Sequence, residues 1–500
     1  MTRIATYGSN QMYLSRVTAL NERINKLTLQ VLTEKKSQNY TGISKDSNRL
    51  INFENEKARA NAFITNNDMA QTRIKAADVS MTAVEKTMKA FKDRLETFYA
   101  NENRSQQDVE NIQNWAFQSM IDMQSYLSSS ADGQYLFSGG RVSTEPVKLA
   151  AGSLAGFQDI YDGNSVTYPT TRAAHMLDIT TDTSITGNLS FNAANGTITA
   201  ANAGTLSDIP VGSRITAAGA AAGNNQSYTV VGNTGTQLKV SRLTTEGPTA
   251  GTISYYTDDS KSTTNVAANL TFVPGTDTIT VSNATGFTAG QTFTVAGTTG
   301  NDGVYEVQSI TAGPPDTITI ASAKIGTTET VAATLSADSW YQGDNINIEQ
   351  RIDQNRTVSI GVFASDPAFE KAIRAMGMIA QGAYGTSGGL ENNLDRIEGA
   401  RFLIQDALNH PASASPPFGP EASSDLESVR SQLGVTQGLI KTTTETHKSY
   451  VGFLDERITS MENVNKEEAI TLLLDDQRAL EAGYQTLAKV REMSLLNFLN

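Results

Sequence analysis

The chain has 500 residues, no cysteine, three histidines and a formal net charge of −13. That length is too great for one core and calls for roughly two to four domains. The missing cysteines exclude disulfides, thiolate metal sites and Cys nucleophiles, and the negative charge argues against binding nucleic acid through phosphates. Hydrophobic residues make up 39% and the mean hydropathy is −0.30. No stretch reaches the ~18–20 apolar residues of a membrane span. The first residues, Met1-Thr-Arg-Ile-Ala-Thr-Tyr-Gly, lack the apolar centre of a cleaved secretory signal.

In chain order, Tyr13, Val17, Leu20, Ile24, Leu27 and Val31 alternate spacings of three and four. That is an a/d seam and predicts a first long helix. Lys36-Ser-Gln-Asn-Tyr-Thr-Gly42 breaks it, with Gly42 as the turn residue. A second seam runs Phe63, Ala70, Ile74, Ala77, Met81, Val84, Met88, Phe91, Leu95 and Phe98. It predicts a helix from about 50 to 98. Asn101-Glu-Asn-Arg interrupts that helix, and Ser105 with Asp108 reads as a capping box that restarts it. The stripe Val109, Ile112, Ala116, Met123, Leu127 then leads to Ser128-Ser-Ser-Ala-Asp-Gly133.

Residues 171–340 change character. They hold 18 charged side chains in 170 residues, about 11%, against about 22% elsewhere. They also contain an internal repeat at an offset of 81. Asn188-Leu-Ser-Phe191 and Thr197-Ile-Thr199 match Asn269-Leu-Thr-Phe272 and Thr278-Ile-Thr280, and Asn202-Ala203 matches Asn283-Ala284. After a three-residue deletion, Gly212 and Ile215 match Gly290 and Phe293, and further along Tyr228 matches Tyr305. Short alternating runs between Gly- and Asn-rich turns predict two tandem antiparallel β-domains of about 80 residues.

Helical periodicity then returns. Asp366-Pro367 forms an N-cap and first-turn pair ahead of Phe369, Ile373 and Met376. Leu394, Ile397, Ile404 and Leu408 mark another helix, and His410-Pro411 to Pro420 is a Pro/Ser linker. From Asp425 a last long helical region carries Leu426, Val429, Leu433 and Ile440, then Leu473, Leu480, Tyr484, Leu487 and Leu495. Residues 1–50 carry net +5 and residues 451–500 net −4. An isolated apolar seam needs a partner, and opposite charge favours pairing of the first helix with the last.

Chemistry-bearing motifs are sparse. His175, His410 and His447 are not at metal spacing, and no H-E-x-x-H, G-x-S-x-G, P-loop or dinucleotide fingerprint occurs. His447 falls beside a helical stripe and is expected to pack; His410 is a capping or linker residue. The adjacent carboxylates Glu467-Glu468 and Asp475-Asp476 point to different helix faces, so solvated charge is expected. Met81, Met88, Met120 and Met123 fall at helical spacing and are expected in the core. No catalytic residue, cofactor or metal ligand is assigned, and an enzyme is not expected.

These features together resemble bacterial flagellin and its hook-associated relatives. Paired terminal helices around a variable β-rich insert are the family plan. Asp132-Gly-Gln-Tyr-Leu-Phe-Ser-Gly139 resembles the D-G-x-Y-x-F-x-G segment of the members at the hook–filament junction, and Trp340-Tyr-Gln-Gly-Asp344 a Y-x-G-D strand. Ala479-Leu-Glu-Ala-Gly-Tyr-Gln485 and Ser494-Leu-Leu-Asn-Phe-Leu499 resemble the closing signature, and Gly42 the glycine of the break. Two positions depart: the usual basic Gly-Lys pair reads Glu34-Lys35-Lys36, and the usual Gln of the closing motif is Glu481. The β-repeats lie outside the resemblance.

The resemblance implies an α+β, flagellin-like fold: a coiled-coil bundle of terminal helices with an inserted pair of tandem antiparallel β-domains. The expected segments are 1–48 (inner-tube helix and break), 49–170 (helical middle domain), 171–260 and 261–338 (β-domains), 339–455 (returning middle domain) and 456–500 (closing inner-tube helix). The implied role is a structural adaptor between hook and filament, with no chemistry. Filament flagellin and a glycan-binding surface adhesin are the alternatives. The implied assembly interface is Tyr13, Val17, Leu20, Ile24, Leu27, Val31, Leu480, Tyr484, Leu487, Leu495 and Leu496. The family-motif residues are Gly42, Asp132, Gly133, Tyr135, Phe137 and Gly139. Implied partners are a ring of copies of the chain, another hook-associated protein, flagellin and a cytoplasmic export chaperone, but neither nucleic acid nor membrane. The implied location is the extracellular flagellum, reached by type III export without a cleaved signal peptide.

Overall fold

Every long helix begins or ends on a local signal that the sequence carries. In the computed structural model α1 spans Thr2–Thr33, α2 Ser47–Ala100 and α3 Gln106–Leu127. The capping box at the start of α3 is complete: the Asp108 amide donates to Ser105 Oγ at 3.3 Å and the Ser105 amide donates to Asp108 Oδ2 at 3.1 Å. A two-stranded hairpin, β1 (Ser130–Ala131) and β2 (Gln134–Tyr135), precedes the short helices α4 (Leu154–Ile160) and α5 (Arg172–Met176). After the β-insert come the hairpin β16 (Glu349–Asp353) with β17 (Arg356–Ser359), then α6 (Pro367–Ala380) and α7 (Leu394–Leu408). Asp366 caps α6 by accepting from the Ala368 amide at 2.9 Å. The chain closes with α8 (Leu426–Glu462) and α9 (Lys466–Leu499).

The structure describes residues 2–499 apart from 177–182, 201–205, 207–208, 210–213, 221–223, 225–226, 241–242, 256–262, 283, 285–286, 321–323, 410–416, 420 and 423. Asn202, Ala203, Gly212 and Asn283 of the repeat, and His410, Pro411 and Pro420 of the linker, lie outside the described residues. So do the side chains of Leu495 and Leu496.

The chain divides into two compact units, Met1–Asp68 with Thr442–Asn500, and Met69–Lys441. The second unit holds the main core. The α2 seam is almost fully buried there, with Met81, Val84, Met88 and Leu95 at 0% exposure. It packs with Val109, Ala116 and Met123 of α3, Phe369 and Ile373 of α6, Ile404 of α7 and Ile440 of α8. Each Val, Leu, Ile, Phe or Met among them contributes about 1.5–3 kcal/mol of burial. The methionines read as core are core, and no group of His, Asp or Glu among the described residues could hold a metal ion. No helix among the described residues is long and apolar enough to cross a membrane.

The insert folds as two antiparallel β-structures. β3 (Thr183–Asn192), β4 (Thr197–Ala200), β5 (Arg214–Ala218), β6 (Ser227–Thr229), β7 (Gly232–Asn233), β8 (Gln237–Lys239) and β9 (Glu246–Tyr255) form a seven-stranded sheet in the order β6-β5-β9-β3-β4-β8-β7. β10 (Thr263–Val273), β11 (Thr278–Val281), β12 (Thr292–Ala296), β13 (Gly303–Thr311), β14 (Asp316–Ile320) and β15 (Glu329–Asp338) close into a six-stranded barrel, β10-β11-β14-β13-β12-β15. One order maps onto the other if β6 and β7 together stand for β13. β13 carries a register shift between Val307 and Ser309. The matching point of the first copy, at Val230-Val231, is where β6 and β7 part. A bulge bends and twists a strand without ending it, so the second copy closes and the first is interrupted.

Both copies share a buried corner. Tyr228 donates its hydroxyl to the Asn224 carbonyl at 3.0 Å, and Tyr305 to that of Asn301 at 2.8 Å. The Asn224 amide donates to the Thr244 carbonyl and to Glu246, and Asn301 does the same to Thr327 and Glu329. The underlying signal is N-x-x-x-Y followed by T-T-E in each copy. A buried amide is tolerated because its donors and acceptor are all engaged.

A buried ionic cluster joins three stretches of the second unit. Glu370, Lys371 and Arg374 of α6 are fully buried. Glu370 accepts from Arg374 Nε at 2.8 Å and from His175 Nδ1 at 2.7 Å. A carboxylate can only accept, which fixes the Nδ1–H tautomer, and the Tyr168 hydroxyl then donates to Nε2 at 2.8 Å. Arg374 also donates to the Thr170 carbonyl at 2.5 Å and to both carboxylate oxygens of Glu421 at 2.9 and 2.6 Å. Lys371 pairs with Asp406 at 2.6 Å and donates to the Ala422 carbonyl at 2.9 Å.

Candidate assembly surface

The first unit is built from α1, the opening of α2, the end of α8, and α9. Alternating apolar spacing makes α1 and α9 amphipathic, and the two helices lie against each other. Of the α1 seam, Leu27 is buried, Val17, Leu20, Ile24 and Val31 are half-buried, and Tyr13 is 40% exposed. On α9, Leu480 and Leu487 are half-buried and Tyr484 is 50% exposed. A side chain at Gly483 would sit 3.6 Å from Val17 Cγ2, so the helices meet at that level. The Asn21 amide donates to the Tyr484 hydroxyl at 3.3 Å.

Charge adds to this pairing. Arg23 grips Asp476 with two guanidinium nitrogens, Nε at 2.5 Å from Oδ2 and Nη2 on Oδ1. The expectation of a solvated Asp475-Asp476 pair holds for Asp475 and fails for Asp476, which is 3% exposed. Adjacent residues on a helix do point apart, but one of those directions is the α1 interface. Lys466 pairs with Glu34 at 2.7 Å.

The break after α1 docks on the turn between α8 and α9. The Lys36 amide donates to the Glu462 carbonyl at 2.7 Å, its ammonium to the carbonyls of Ser460 and Met461, and the Val464 amide to the Glu34 carbonyl at 2.9 Å. The last helical region is therefore two helices rather than one. Asn465 ends the break by accepting from the Glu467 amide at 3.2 Å. Glu34 has φ of 59°, the left-handed conformation that glycine adopts most easily. Gly42 sits in a 3₁₀ turn, Tyr40–Ile43, where a Cβ would come within 2.4 Å of Ser37 Cβ.

Pairing α1 with α9 uses one apolar stripe and leaves others open. Leu14 is 48% exposed, Leu32 75% and Leu474 48%. Met12, Leu29, Ile470 and Leu472 are exposed as well. Most of the large exposed apolar side chains among the described residues belong to this unit. Such a concentration marks an interaction surface. These residues lie off the strongest heptad, so the spacing of the seam does not mark them.

The motif residues form a clasp in the second unit. β1 and β2 pair Ser130 with Tyr135 and Ala131 with Gln134, leaving Asp132 and Gly133 as the two turn residues, with φ of 51° and 74°. Two positive φ values are what a tight two-residue hairpin of primed type needs. The Tyr135 carbonyl accepts from Arg73 at 2.9 Å, and Phe137 is buried edge-on against Phe369. Gly139 and Gly140 lie under Asp344. The Gly140 and Ile346 amides donate to Asp344 Oδ1 at 2.5 and 3.0 Å, and the Asp344 amide donates to the Ser138 carbonyl at 3.0 Å. The two family-like segments, 132–139 and 340–344, are thus one structural element assembled from both sides of the insert.

Residues 420–499 match the family described as the bacterial flagellin C-terminal helical region. The chain therefore carries a flagellin-type C-terminal region, covering α8 and α9. No curated protein matches the chain. Among solved structures it is similar to the Xanthomonas campestris FlgL crystal structure, at 13% identity and a TM-score of 0.30, with 81% of this chain and 98% of that one covered. It is also similar to flagellar hook associated protein-3 from Legionella pneumophila, at 12% identity and a TM-score of 0.31, with 82% and 98% covered. The flagellar junction protein FlgL from Legionella pneumophila gives 12% identity, a TM-score of 0.28 and coverages of 79% and 99%. Overlap at that level carries no weight by itself.

Proposed function

We propose that the chain is a structural subunit of the bacterial flagellum that joins hook to filament. The observation that carries this reading is the flagellin-type C-terminal helical region, which supplies α9, the helix paired with α1. Assembly proceeds through that helical pair, with Leu14, Leu32 and Leu474 meeting neighbouring subunits beside the seam of Val17 to Val31. A contact between unlike patches grows into rings or tubes, so one surface serves every neighbour. The partners are copies of this chain, another hook-associated protein on the hook side and flagellin on the filament side, after escort by an export chaperone. The working location is outside the cell, on the flagellum. The Asp132–Gly139 segment favours the junction role over the filament role.

Electron microscopy of a deletion strain tests this. Hooks without filaments, and flagellin shed into the medium, are expected. Normal filaments would refute the junction role. In the same strain the wild-type gene restores motility, and a Leu14→Asp, Leu32→Asp version does not. Copy number per flagellum separates the junction protein (few) from filament flagellin (very many).

A further inference from the structure

The buried cluster on α6 holds two distant stretches by one helix face. On one side is the entry to the β-insert, where Tyr168, Thr170, Arg172 and His175 reach Glu370 and Arg374. On the other is the segment leading into α8, where Glu421 pairs with Arg374, the Ala422 carbonyl accepts from Lys371, and Ser424 donates to Asp366 at 2.7 Å. Arg374 is the only side chain among these that contacts both. Its guanidinium is saturated by Glu370, Thr170 and Glu421 together, and its side-chain exposure is 0%.

We propose that this cluster is a coupling device: seating of the β-insert and seating of the first residues of the C-terminal helical region are one cooperative event. The physical reason is the cost of half a network. If the insert entry lifts away, Glu370 loses His175 and Arg172, and Arg374 loses a carbonyl, in a site that water does not reach. The remaining buried charges are then poorly compensated, and the grip of Arg374 on Glu421 weakens with them. Release of the 421–424 segment acts in reverse, because binding free energies between linked sites are reciprocal.

Amide hydrogen exchange on the full chain tests this with His175→Phe, Glu421→Gln and the double variant. Phenylalanine keeps the ring that stacks on Trp340 at 5.3 Å but drops both hydrogen bonds. Each single change is expected to speed exchange roughly tenfold at both stretches, 168–176 and 424–430, and the double change to add little to the larger single effect. If each substitution loosens only its own stretch, or the effects add in full, the coupling is refuted. If His175→Phe does not fold, Glu421→Gln alone decides the matter by its effect on 168–176.

Discussion

Arg374→Met should destabilise the helical core of the second unit by about 3–5 kcal/mol, the usual cost of removing one partner from a buried ion pair. The reason is what stays behind. Glu370 and Glu421 would remain inside, each having lost its guanidinium. Burial alone opposes ionisation of Glu370, yet Arg374, His175 and Arg172 outweigh it and hold the carboxyl well below the ordinary value of 4.5. Replacing Glu370, Arg374 and Glu421 together with Leu, Met and Leu should cost far less, because the one charge that loses its carboxylate, Arg172, is part-exposed and keeps the Ser365 carbonyl. Exchange of the α6 amides is the suitable probe, since a chain of several domains has no single unfolding free energy.

The same cluster fixes a pH response. Burial pushes the His175 imidazole below its ordinary 6.5, although Glu370 pulls the other way. A group with a depressed pKa adds stability that is complete above its unfolded value and is lost as pH falls. The His175 contribution should therefore be full above about pH 6.5 and decline below it. That of Glu370 should follow below 4.5. Burial raises Asp366, which acts in the opposite sense and blunts the acid loss. Protection of amides 168–176 should fall between neutral and mildly acid pH in the wild type, and should hardly change over that range in His175→Phe.

Gly139→Ala should cost about 3 kcal/mol and open the clasp. Its φ of 69° already disfavours an L side chain, by about 1–2 kcal/mol. The new Cβ would also lie 2.2 Å from Asp344 Oδ1 and 2.3 Å from the Asp344 carbonyl oxygen, and overpacking of that kind typically adds 1–3 kcal/mol. Gly133→Ala is the control. Its φ is 74°, but nothing lies within 4 Å of the added atom, so only the backbone cost applies. Thermal melts of the two variants, with exchange at Gly140 and Ile346, separate the contributions. Equal losses would mean that contact with Asp344 contributes nothing.

Much of the fold could be read from the residues alone. Alternating three–four spacing predicts α1, α2 and α3, and Ser105 with Asp108 and Asp366 with Pro367 place two helix starts closely. These signals are local, acting within a turn or two of backbone, so sequence carries them directly. The repeat is legible too, because each copy keeps its own Phe, Ile and Tyr core positions. By itself, then, the sequence determined where most of the long helices and the two β-repeats form and which of their faces are apolar.

Tertiary structure decided which partner covers each face. Asp476 looks like any exposed carboxylate until Arg23 reaches it from more than 450 residues away. Gly139 looks like a turn glycine until Asp344 lies over it. Glu370, Lys371 and Arg374 are charged residues of one short helix, and they are buried because Tyr168, His175, Asp406 and Glu421 arrive from three other places in the chain. On the terminal helices periodicity marks the seam, but only packing shows that the α1 seam is largely covered within the chain while Leu14, Leu32 and Leu474 stay open. A helix records its apolar stripe in spacing, whereas the identity of what lies against that stripe depends on the path of the whole chain.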